Sequence, residues 1–272
     1  MNYYIAFPQI DPVAFSLGPF SIHWYAISYV VGIALGWIYL RYFVRTHTLA
    51  HIHSKTIDDL ITWAIIGILL GGRLGYILFY NPLYYWENPL TIFMTWQGGM
   101  SFHGGVLGVI FAFWVYSKKK SVSFLTLLDL GALAAPLGIF LGRMANFING
   151  ELYGRITDVS WAILFPHGGY LPRHPSQIYE AFGEGFILLI LLNFLAWKSS
   201  LIHKPGKLAG IAMISYAIMR SFLEIFREPD AVSGYYWEYF TKGQLLSVPL
   251  LLIGLYLLLR KNDACHPPQT KN

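Results

Sequence analysis

The apolar positions of the chain fall into long runs separated by short polar segments. Hydrophobic windows predict helices at residues 23–42, 57–79, 99–116, 124–147, 178–197, 208–226 and 244–260. These runs approach or exceed the roughly 18 to 20 residues that a helix needs to cross a ~30 Å hydrocarbon layer. The third run is short by this criterion, and the fourth contains Asp129, Pro136 and Arg143, so that helix could be kinked. The pattern predicts an all-α polytopic membrane protein with about seven transmembrane helices.

Composition agrees with the hydropathy pattern. Of 272 residues, 56% are hydrophobic and only 12% are charged, whereas a soluble domain carries about 25% charged residues. Little length remains for a soluble domain, so we predict a single polytopic membrane domain over residues 1–272. The first segment lacks the basic region and cleavage site of a removable signal peptide, so the first apolar run is expected to remain as an anchor. Cys265 is the only cysteine, which excludes an intramolecular disulfide.

The distribution of basic residues predicts the orientation of the chain in the membrane. Lysine and arginine follow the first, third, fifth and last predicted helices, at Arg41, Arg45, Lys55, Lys118, Lys119, Lys120, Lys198, Lys204, Lys207, Arg260, Lys261 and Lys271. Because basic loops tend to stay in the cytoplasm, we expect the amino terminus outside and the carboxyl terminus inside. The outer segments are rich in tryptophan and tyrosine, which suits arms lying at the membrane surface, and residues 149–175 form a head segment there.

Ionisable side chains at membrane depth are expensive and are functional candidates by default. In this chain they are Arg73, His103, Arg143, Glu151, Glu180, Glu184, Arg220 and Glu224. All of them except His103 could pair among themselves. His47, His51 and His53 have a spacing that resembles a metal site, but they lie in a predicted loop without an adjacent carboxylate. We therefore interpret that loop as solvated and predict no metal site.

Three residues of the sixth predicted helix share one face. Glu224 follows Arg220 by four positions, and Tyr216 precedes it by four. One interpretation is an intrahelical ion pair. The other is a face that looks into a polar cavity, where Arg220 binds an anion. Arginine suits phosphate because its guanidinium group stays protonated and donates two parallel hydrogen bonds.

The stretch GRMANFINGELYG, residues 142–154, concentrates polar side chains at the end of the fourth predicted helix. Arg143 and Asn146 share a helical face, the Asn-Gly pair at 149–150 signals a turn, and Glu151 lies just beyond it. A plain helix exit into water would account for some of these groups. Their number, together with glycines such as Gly154 that permit close backbone approach, favours a polar site.

His103 lies near the start of the third predicted helix among the glycines of GGMSFHGG. A single histidine at such a place is more often structural than catalytic. Histidine is nevertheless the side chain best suited to accept a proton near neutral pH, so a role as general base stays open.

The stretch GRMANFINGELYG is similar, position by position, to the signature segment of the bacterial prolipoprotein diacylglyceryl transferases. The resemblance extends through HWY, GGRLGYILFYN, GGMSFHGG, RHPSQIYEA and the series that ends in FREPD, and it covers most of the chain in order. It implies a seven-span inner-membrane enzyme with periplasmic arms and a periplasmic head segment. Its implied reaction moves the sn-1,2-diacylglyceryl group of phosphatidylglycerol onto the lipobox cysteine of a prolipoprotein and releases glycerol phosphate.

The resemblance also implies partners and site residues. The expected partners are phosphatidylglycerol, a prolipoprotein signal peptide with its lipobox cysteine, and membrane lipids; no nucleic acid and no cofactor are expected. His103 corresponds to a residue needed for activity, and Arg143 and Arg220 correspond to phosphatidylglycerol-binding residues. The other implied site residues are Tyr25, Asn146, Glu151, Gly154, Tyr216 and Glu224. Between WAILFP and LPRHPSQ this chain has only four residues, fewer than some relatives. The resemblance therefore does not predict how its outer arm binds substrate.

These roles agree with the chemistry of carbon–sulfur bond formation. A free cysteine with a pKa near ~8.5 is mostly protonated at neutral pH, so we hypothesise that His103 takes the thiol proton directly or through water. Arg143 and Arg220 would stabilise the negative charge that develops on the leaving phosphate. Glu151 and Glu224 are expected to orient the arginines, although Glu151 could instead contact substrate.

Three other classes of membrane protein are weighed against this one. A transporter or channel is disfavoured because no internal repeat is visible and the polar groups concentrate towards one side. An intramembrane protease is disfavoured because the sequence has neither a G-x-S-x-G segment nor paired intramembrane aspartates. A lipid scaffold without chemistry requires an activity assay to exclude it.

Overall fold

The structure is a computed structural model that describes residues 4–18, 20–49, 51–95, 98–228, 235–236 and 240–261. Its helices are α1 Trp24–Thr46, α2 Ser54–Tyr80, α3 Pro82–Glu87, α4 Phe102–Lys120, α5 Phe124–Ile148, α6 Ser176–Glu180, α7 Leu188–Lys198, α8 Lys207–Leu223 and α9 Lys242–Leu259. A π-helical segment, Ala181–Ile187, joins α6 to α7, and 3-10 turns cover Pro89–Phe93 and Leu201–His203. The predicted all-α polytopic class is confirmed.

Five of the helical segments in the described residues are long and apolar enough to cross a membrane: Trp24–Thr46, Ser54–Tyr80, Phe124–Ile148, Ser176–Lys198 and Lys242–Leu259. The other two predicted spans form helices that fall short of this standard. α4 carries three lysines in its last turn, and α8 has 17 residues. The count of seven spans therefore stays a prediction.

The sequence placed most helix ends within a few residues, and the exceptions have local causes. α4 begins at Phe102 rather than at residue 99, because Gly98 and Gly99 adopt positive φ values of 85° and 82° that a helix cannot contain. The hydroxyl of Ser101 then caps α4 by accepting a hydrogen bond from the Gly104 amide. α5 runs as one helix from Phe124 to Ile148 with Pro136 inside it.

Short strands, which the hydropathy pattern did not predict, connect the extramembrane segments. β1, Ile5–Ala6, pairs in parallel with β4, Ile163–Leu164. β2, Val13–Leu17, pairs antiparallel with β3, Phe20–His23. β5, Tyr235–Tyr236, pairs with β6, Phe240–Thr241. The β1–β4 pair ties the amino-terminal segment to residues 149–175.

The described residues divide into two compact units, one formed by 1–36 with 131–272 and the other by 37–130. In the second unit, α2 and α4 approach so closely that glycine is the only residue that fits along their contact. A Cβ atom on Gly67 would lie 2.7 Å from the carbonyl oxygen of Gly108, and one on Gly75 would lie 2.7 Å from the Cα of Gly104. Small residues spaced by four are a common way for membrane helices to pack backbone against backbone.

The segment after α2 has the character of a surface arm. It consists of α3, Pro82–Glu87, and the 3-10 turn Pro89–Phe93, and it exposes Leu83, Trp86 and Leu90. Exposed apolar and aromatic side chains on a short helix are typical of segments that lie at a membrane interface.

Candidate functional site

Six charged side chains meet in the unit formed by residues 1–36 and 131–272, and we call them the arginine–glutamate cluster. Its members are Arg143 of α5, Glu180 of α6, Glu184 of the π segment, Arg220 of α8, and Glu224 and Arg227 just beyond α8. The side chains of Glu180 and Glu184 are 0% exposed, and those of Arg143 and Arg220 are 17% and 12% exposed. The three positive and three negative charges balance.

Glu180 contacts all three arginines of the cluster. Its Oε2 lies 2.9 Å from Nη1 of Arg143. Its Oε1 lies 3.1 Å from Nη1 of Arg220 and 3.3 Å from Nη1 of Arg227. Because a buried carboxylate is costly unless it is paired, these contacts hold the side chain of Glu180 in place.

Glu184 bridges the two arginines that the sequence assigned to phosphate. Its Oε2 accepts a hydrogen bond from Nη2 of Arg143 at 3.3 Å, and its Oε1 accepts one from Nη1 of Arg220 at 3.2 Å. Arg143 and Arg220, which come from different helices, therefore share Glu184 as well as Glu180.

Glu224 pairs with Arg220 at 2.7 Å, as their spacing of four predicts. Its carboxylate is also fixed by the start of α9, because a Cβ atom on Gly243 would lie only 2.7 Å from its Oε2. Glu224 is thus held by its own helix and by a second one. The intrahelical ion pair is present, and Arg220 additionally reaches Glu180 and Glu184 on another segment.

Three polar side chains of GRMANFINGELYG bond to one another at the end of α5. Glu151 accepts hydrogen bonds from Asn146 at 2.9 Å and Asn149 at 3.2 Å, whereas Arg143 and Arg220 pair with Glu180 and Glu184. The turn at Gly150, whose φ is 64°, brings Glu151 back over the end of its own helix. Orientation of an arginine by Glu151 stays a prediction. A contact between the exposed Glu151 and substrate stays a prediction.

Gly154 lies where three backbone segments meet. Its amide donates to the carbonyl oxygen of His174 at 2.8 Å, and the next amide, of Arg155, donates to the carbonyl oxygen of Phe226 at 2.9 Å. A Cβ atom at residue 154 would lie 2.7 Å from the Cβ of His174. Close backbone packing explains this glycine, and a direct role in substrate binding stays a prediction.

Two predicted substrate-binding tyrosines belong to the same unit. The Tyr25 hydroxyl lies 3.0 Å from that of Tyr29, one turn further along α1. Tyr216 is half-buried on α8, one turn before Arg220. Their roles stay predictions.

His103 belongs to the other unit, as the second residue of α4. Its side chain is exposed, and its ring contacts Phe102 edge to face at 5.6 Å. Its assignment as a base rests on the sequence and stays a prediction.

Arg73 has partners that the sequence did not suggest. Its guanidinium group donates to the carbonyl oxygens of Thr91 at 2.6 Å, Ile92 at 2.8 Å and Gly98 at 2.6 Å, and it lies 5.2 Å from the centre of the Tyr85 ring. The idea that Arg73 pairs with another candidate carboxylate is wrong, because backbone carbonyls of residues 91–99 take up its hydrogen bonds. Arg73 therefore fastens the segment after α3.

Sequence reasoning gave no role to three members of the cluster, Glu180, Glu184 and Arg227. Glu180 and Glu184 were recognised as ionisable groups at membrane depth but received no role, although that signal alone justified one. Arg227 follows the predicted end of the sixth helix at residue 226, where a basic side chain is expected to face water just outside the membrane. Within the part of the chain that the structure describes, no group of three or more histidine, cysteine, aspartate or glutamate side chains is placed to hold a metal ion.

Helices long and apolar enough to cross a membrane, together with a buried arginine–glutamate cluster, define a polytopic membrane protein with a polar site. Similarity to known proteins defines the family within this class. The family model for prolipoprotein diacylglyceryl transferase matches residues 12–260. The chain belongs to the prolipoprotein diacylglyceryl transferase family.

Individual relatives agree with the family model. A protein of Rickettsia felis named phosphatidylglycerol–prolipoprotein diacylglyceryl transferase is 50% identical over 258 residues, which cover 95% of this chain and 99% of the relative. Proteins with the same name from Rickettsia typhi and Rickettsia bellii are 50% and 47% identical, and the matches cover 94% of this chain and 98% and 97% of those relatives. The similarity thus spans nearly the whole length of this chain and of each relative.

Proposed function

We infer that this chain transfers the sn-1,2-diacylglyceryl group of phosphatidylglycerol to the thiol of the lipobox cysteine of prolipoproteins, the first step of lipoprotein maturation. The observation that carries this inference is 50% identity over 99% of a relative that bears the corresponding name. The proximity of Arg143 and Arg220, which both contact Glu184, supports it, because the substrate carries a phosphate that two arginines can share.

The reaction forms one bond and breaks one. The cysteine sulfur attacks the glyceryl carbon that carries the phosphate, the carbon–oxygen bond to the phosphate breaks, and glycerol phosphate leaves. The thiol proton has to be accepted by a base or by water. Negative charge grows on the leaving phosphate, so arginines positioned on that group stabilise the transition state more than the ground state.

Within this scheme Arg143 and Arg220 bind the phosphate, and Glu224 positions Arg220 through its 2.7 Å ion pair. His103 is proposed as the base for the thiol proton because histidine titrates near neutral pH. A His103→Gln variant should then lose most of its turnover with a synthetic lipobox peptide, and the loss should shrink as the pH approaches the pKa of the thiol. Near-normal turnover of this variant across pH would exclude His103 as the base.

One assay tests the proposed function as a whole. The purified full chain is incubated with phosphatidylglycerol and a lipobox peptide, and the peptide mass is measured. We expect a diacylglyceryl mass shift on the cysteine with release of an equal amount of glycerol phosphate, and no shift on a matched peptide with serine at that position. Ion or solute flux in liposomes without lipid consumption would favour a transporter instead.

The setting of the reaction follows from the same proposal. We propose that the chain works in the bacterial inner membrane as one polytopic domain over residues 1–272, with its amino terminus in the periplasm and its carboxyl terminus in the cytoplasm. Residues 149–175 are the proposed periplasmic head segment, where the prolipoprotein signal peptide presents its lipobox cysteine. The lipid substrate comes from the surrounding bilayer.

A further inference from the structure

The three carboxylates of the arginine–glutamate cluster are held in different ways. Glu180 contacts three arginines, and Glu224 is enclosed by its own helix and by Gly243 of α9. The ion pairs of Glu184 among the described residues join it to Arg143 at 3.3 Å and to Arg220 at 3.2 Å. Among the described residues, Glu184 is therefore the carboxylate of the cluster whose ion pairs are confined to the two arginines proposed to bind the phosphate and include both of them.

A carboxylate and a phosphodiester are chemically similar ligands for these arginines. Each presents two oxygens that share one negative charge, and each accepts parallel hydrogen bonds from guanidinium groups. A phosphodiester placed between Arg143 and Arg220 would use the same Nη atoms that Glu184 now occupies. The two groups therefore compete for the same position.

Charge balance favours a phosphodiester that replaces one carboxylate of the cluster over a phosphodiester that binds beside all three. The cluster has three positive and three negative side chains, all at most 17% exposed. Adding a phosphodiester while all three carboxylates stay would leave a buried negative charge without a partner, which is unfavourable. If the phosphate takes the place of one carboxylate, the charge around the arginines stays balanced.

The backbone around Glu184 is also unusual. Glu184 lies in the middle of the seven-residue π segment Ala181–Ile187, and π turns inside α-helices occur frequently at functional sites. The flanking glycines fit tightly, since a Cβ atom on Gly185 would lie 2.7 Å from the Cα of Phe140 and one on Gly183 would lie 2.8 Å from Leu223. The backbone is fixed between neighbours, so exchange has to occur by rotation of the glutamate side chain.

We propose that the carboxylate of Glu184 and the phosphate of phosphatidylglycerol alternate at one position between Arg143 and Arg220. The phosphate of phosphatidylglycerol displaces the carboxylate from Arg143 and Arg220, and the carboxylate returns when glycerol phosphate leaves. This inference rests on the proposed function and adds a regulatory step to it: Glu184 weakens the binding of both substrate and product phosphate and so promotes product release.

The test measures binding of glycerol phosphate to the purified full-length protein by calorimetry, which needs no turnover. Removing an internal competitor raises the apparent affinity of the ligand, so we expect Glu184→Gln to bind glycerol phosphate about tenfold more tightly than the unsubstituted protein. Glu228→Gln is the control, because it removes the same charge at a carboxylate that pairs with Arg173 outside the arginine–glutamate cluster. We expect it to change the affinity by less than about threefold. In steady state, Glu184→Gln should lower both the KM for phosphatidylglycerol and kcat.

Several outcomes would overturn the proposal. Equal tightening in both variants would show that only the net charge matters, and weaker binding in Glu184→Gln would show that Glu184 supports the phosphate site. If Glu184→Gln does not fold, Glu184→Asp keeps the charge but shortens the reach to the arginines, and it too should bind glycerol phosphate more tightly. Misfolding of both variants would assign Glu184 a purely structural role. The transfer assay on the unsubstituted protein independently decides the proposed function.

Discussion

Arg143 reaches two carboxylates on one neighbouring segment, with Nη1 at 2.9 Å from Glu180 and Nη2 at 3.3 Å from Glu184. This use of two separate nitrogens depends on the planar fork of the guanidinium group. Lysine carries the same charge as a single ammonium centre and cannot reproduce the arrangement. The identity of the residue at 143 therefore matters more than its charge.

We predict that Arg143→Lys loses transfer activity by roughly 100-fold, a typical cost of removing one group that stabilises developing charge. The variant should fold, because the positive charge beside Glu180 and Glu184 remains. The measurement is the initial rate of peptide lipidation, with the thermal midpoint as a check on folding. Arg41→Lys is the control, since Arg41 pairs with the partly exposed Asp58 and should tolerate the change. Full activity of Arg143→Lys would contradict phosphate binding by this arginine.

His174 provides a pH-dependent contact outside the membrane-spanning segments. Its Nδ1 lies 3.2 Å from the Tyr179 hydroxyl and its ring contacts Phe226 at 5.3 Å. Burial lowers the pKa of His174 below its ordinary value of 6.5, so the folded state favours the neutral ring. This contribution to stability is complete above pH 6.5 and is lost as the pH falls from there through the lower pKa of the folded state.

We therefore predict a lower thermal midpoint at about pH 5.5 than at about pH 7.5, with part of the difference due to His174. His174→Gln should show a smaller difference between the two conditions, because glutamine does not titrate in this range. A pH dependence that is unchanged in the variant would assign the effect to other groups.

At the scale of elements, the packing of α2 against α4 depends on the absence of side chains along their contact. Gly71 lies against Gly104 and Gly108, and a Cβ atom on Gly71 would lie 2.7 Å from the Cα of Gly108. Backbone atoms cannot move aside as a flexible side chain can. The spacing of glycines along the two helices thus sets how closely they approach.

We predict that Gly71→Ala separates α2 from α4 and lowers stability by about 1–3 kcal/mol, the usual cost of overpacking. Gly138→Ala on α5 is the control, because no atom lies within 4 Å of its added Cβ. That substitution should be neutral or slightly stabilising, since alanine is the better helix former. The measurement is resistance to unfolding in detergent, and equal behaviour of the two variants would contradict close backbone packing.

At the scale of the whole molecule, the distribution of basic residues predicts which end of the chain faces the cytoplasm. The tail after α9 carries Lys261, Lys271 and the only cysteine of the chain, Cys265, which lies outside the described residues. This cysteine provides a direct test of orientation without any substitution.

We predict that a membrane-impermeant maleimide leaves Cys265 unlabelled in intact spheroplasts and labels it after permeabilisation. A variant with Cys265→Ser and Ser16→Cys should behave in the opposite way, because residue 16 precedes the first membrane span. Labelling of Cys265 in intact spheroplasts would place the carboxyl terminus outside and reverse the proposed topology.

The class of fold, the positions of the long helices and the family could be predicted from the amino-acid sequence. Hydrophobic runs of membrane-spanning length dictate helices, because each backbone polar group in the hydrocarbon layer has to bond within its own segment. The same rule singled out Arg143, Arg220, Glu180 and Glu184, since charges at that depth are expensive. These properties depend on short stretches of the chain, so they can be predicted without knowing which residues are in contact.

Which arginines and glutamates of different helices form ion pairs depends on the tertiary structure. Arg220 pairs with Glu224 as their spacing of four predicts, but the turn at Gly150 directs Glu151 towards Asn146, and the π segment brings Glu184 between Arg143 and Arg220. Arg73 likewise bonds to backbone carbonyls that lie 18 to 26 positions later in the chain. Pairing of charges depends on distances between helices, and those follow from packing, which no periodicity in the sequence encodes.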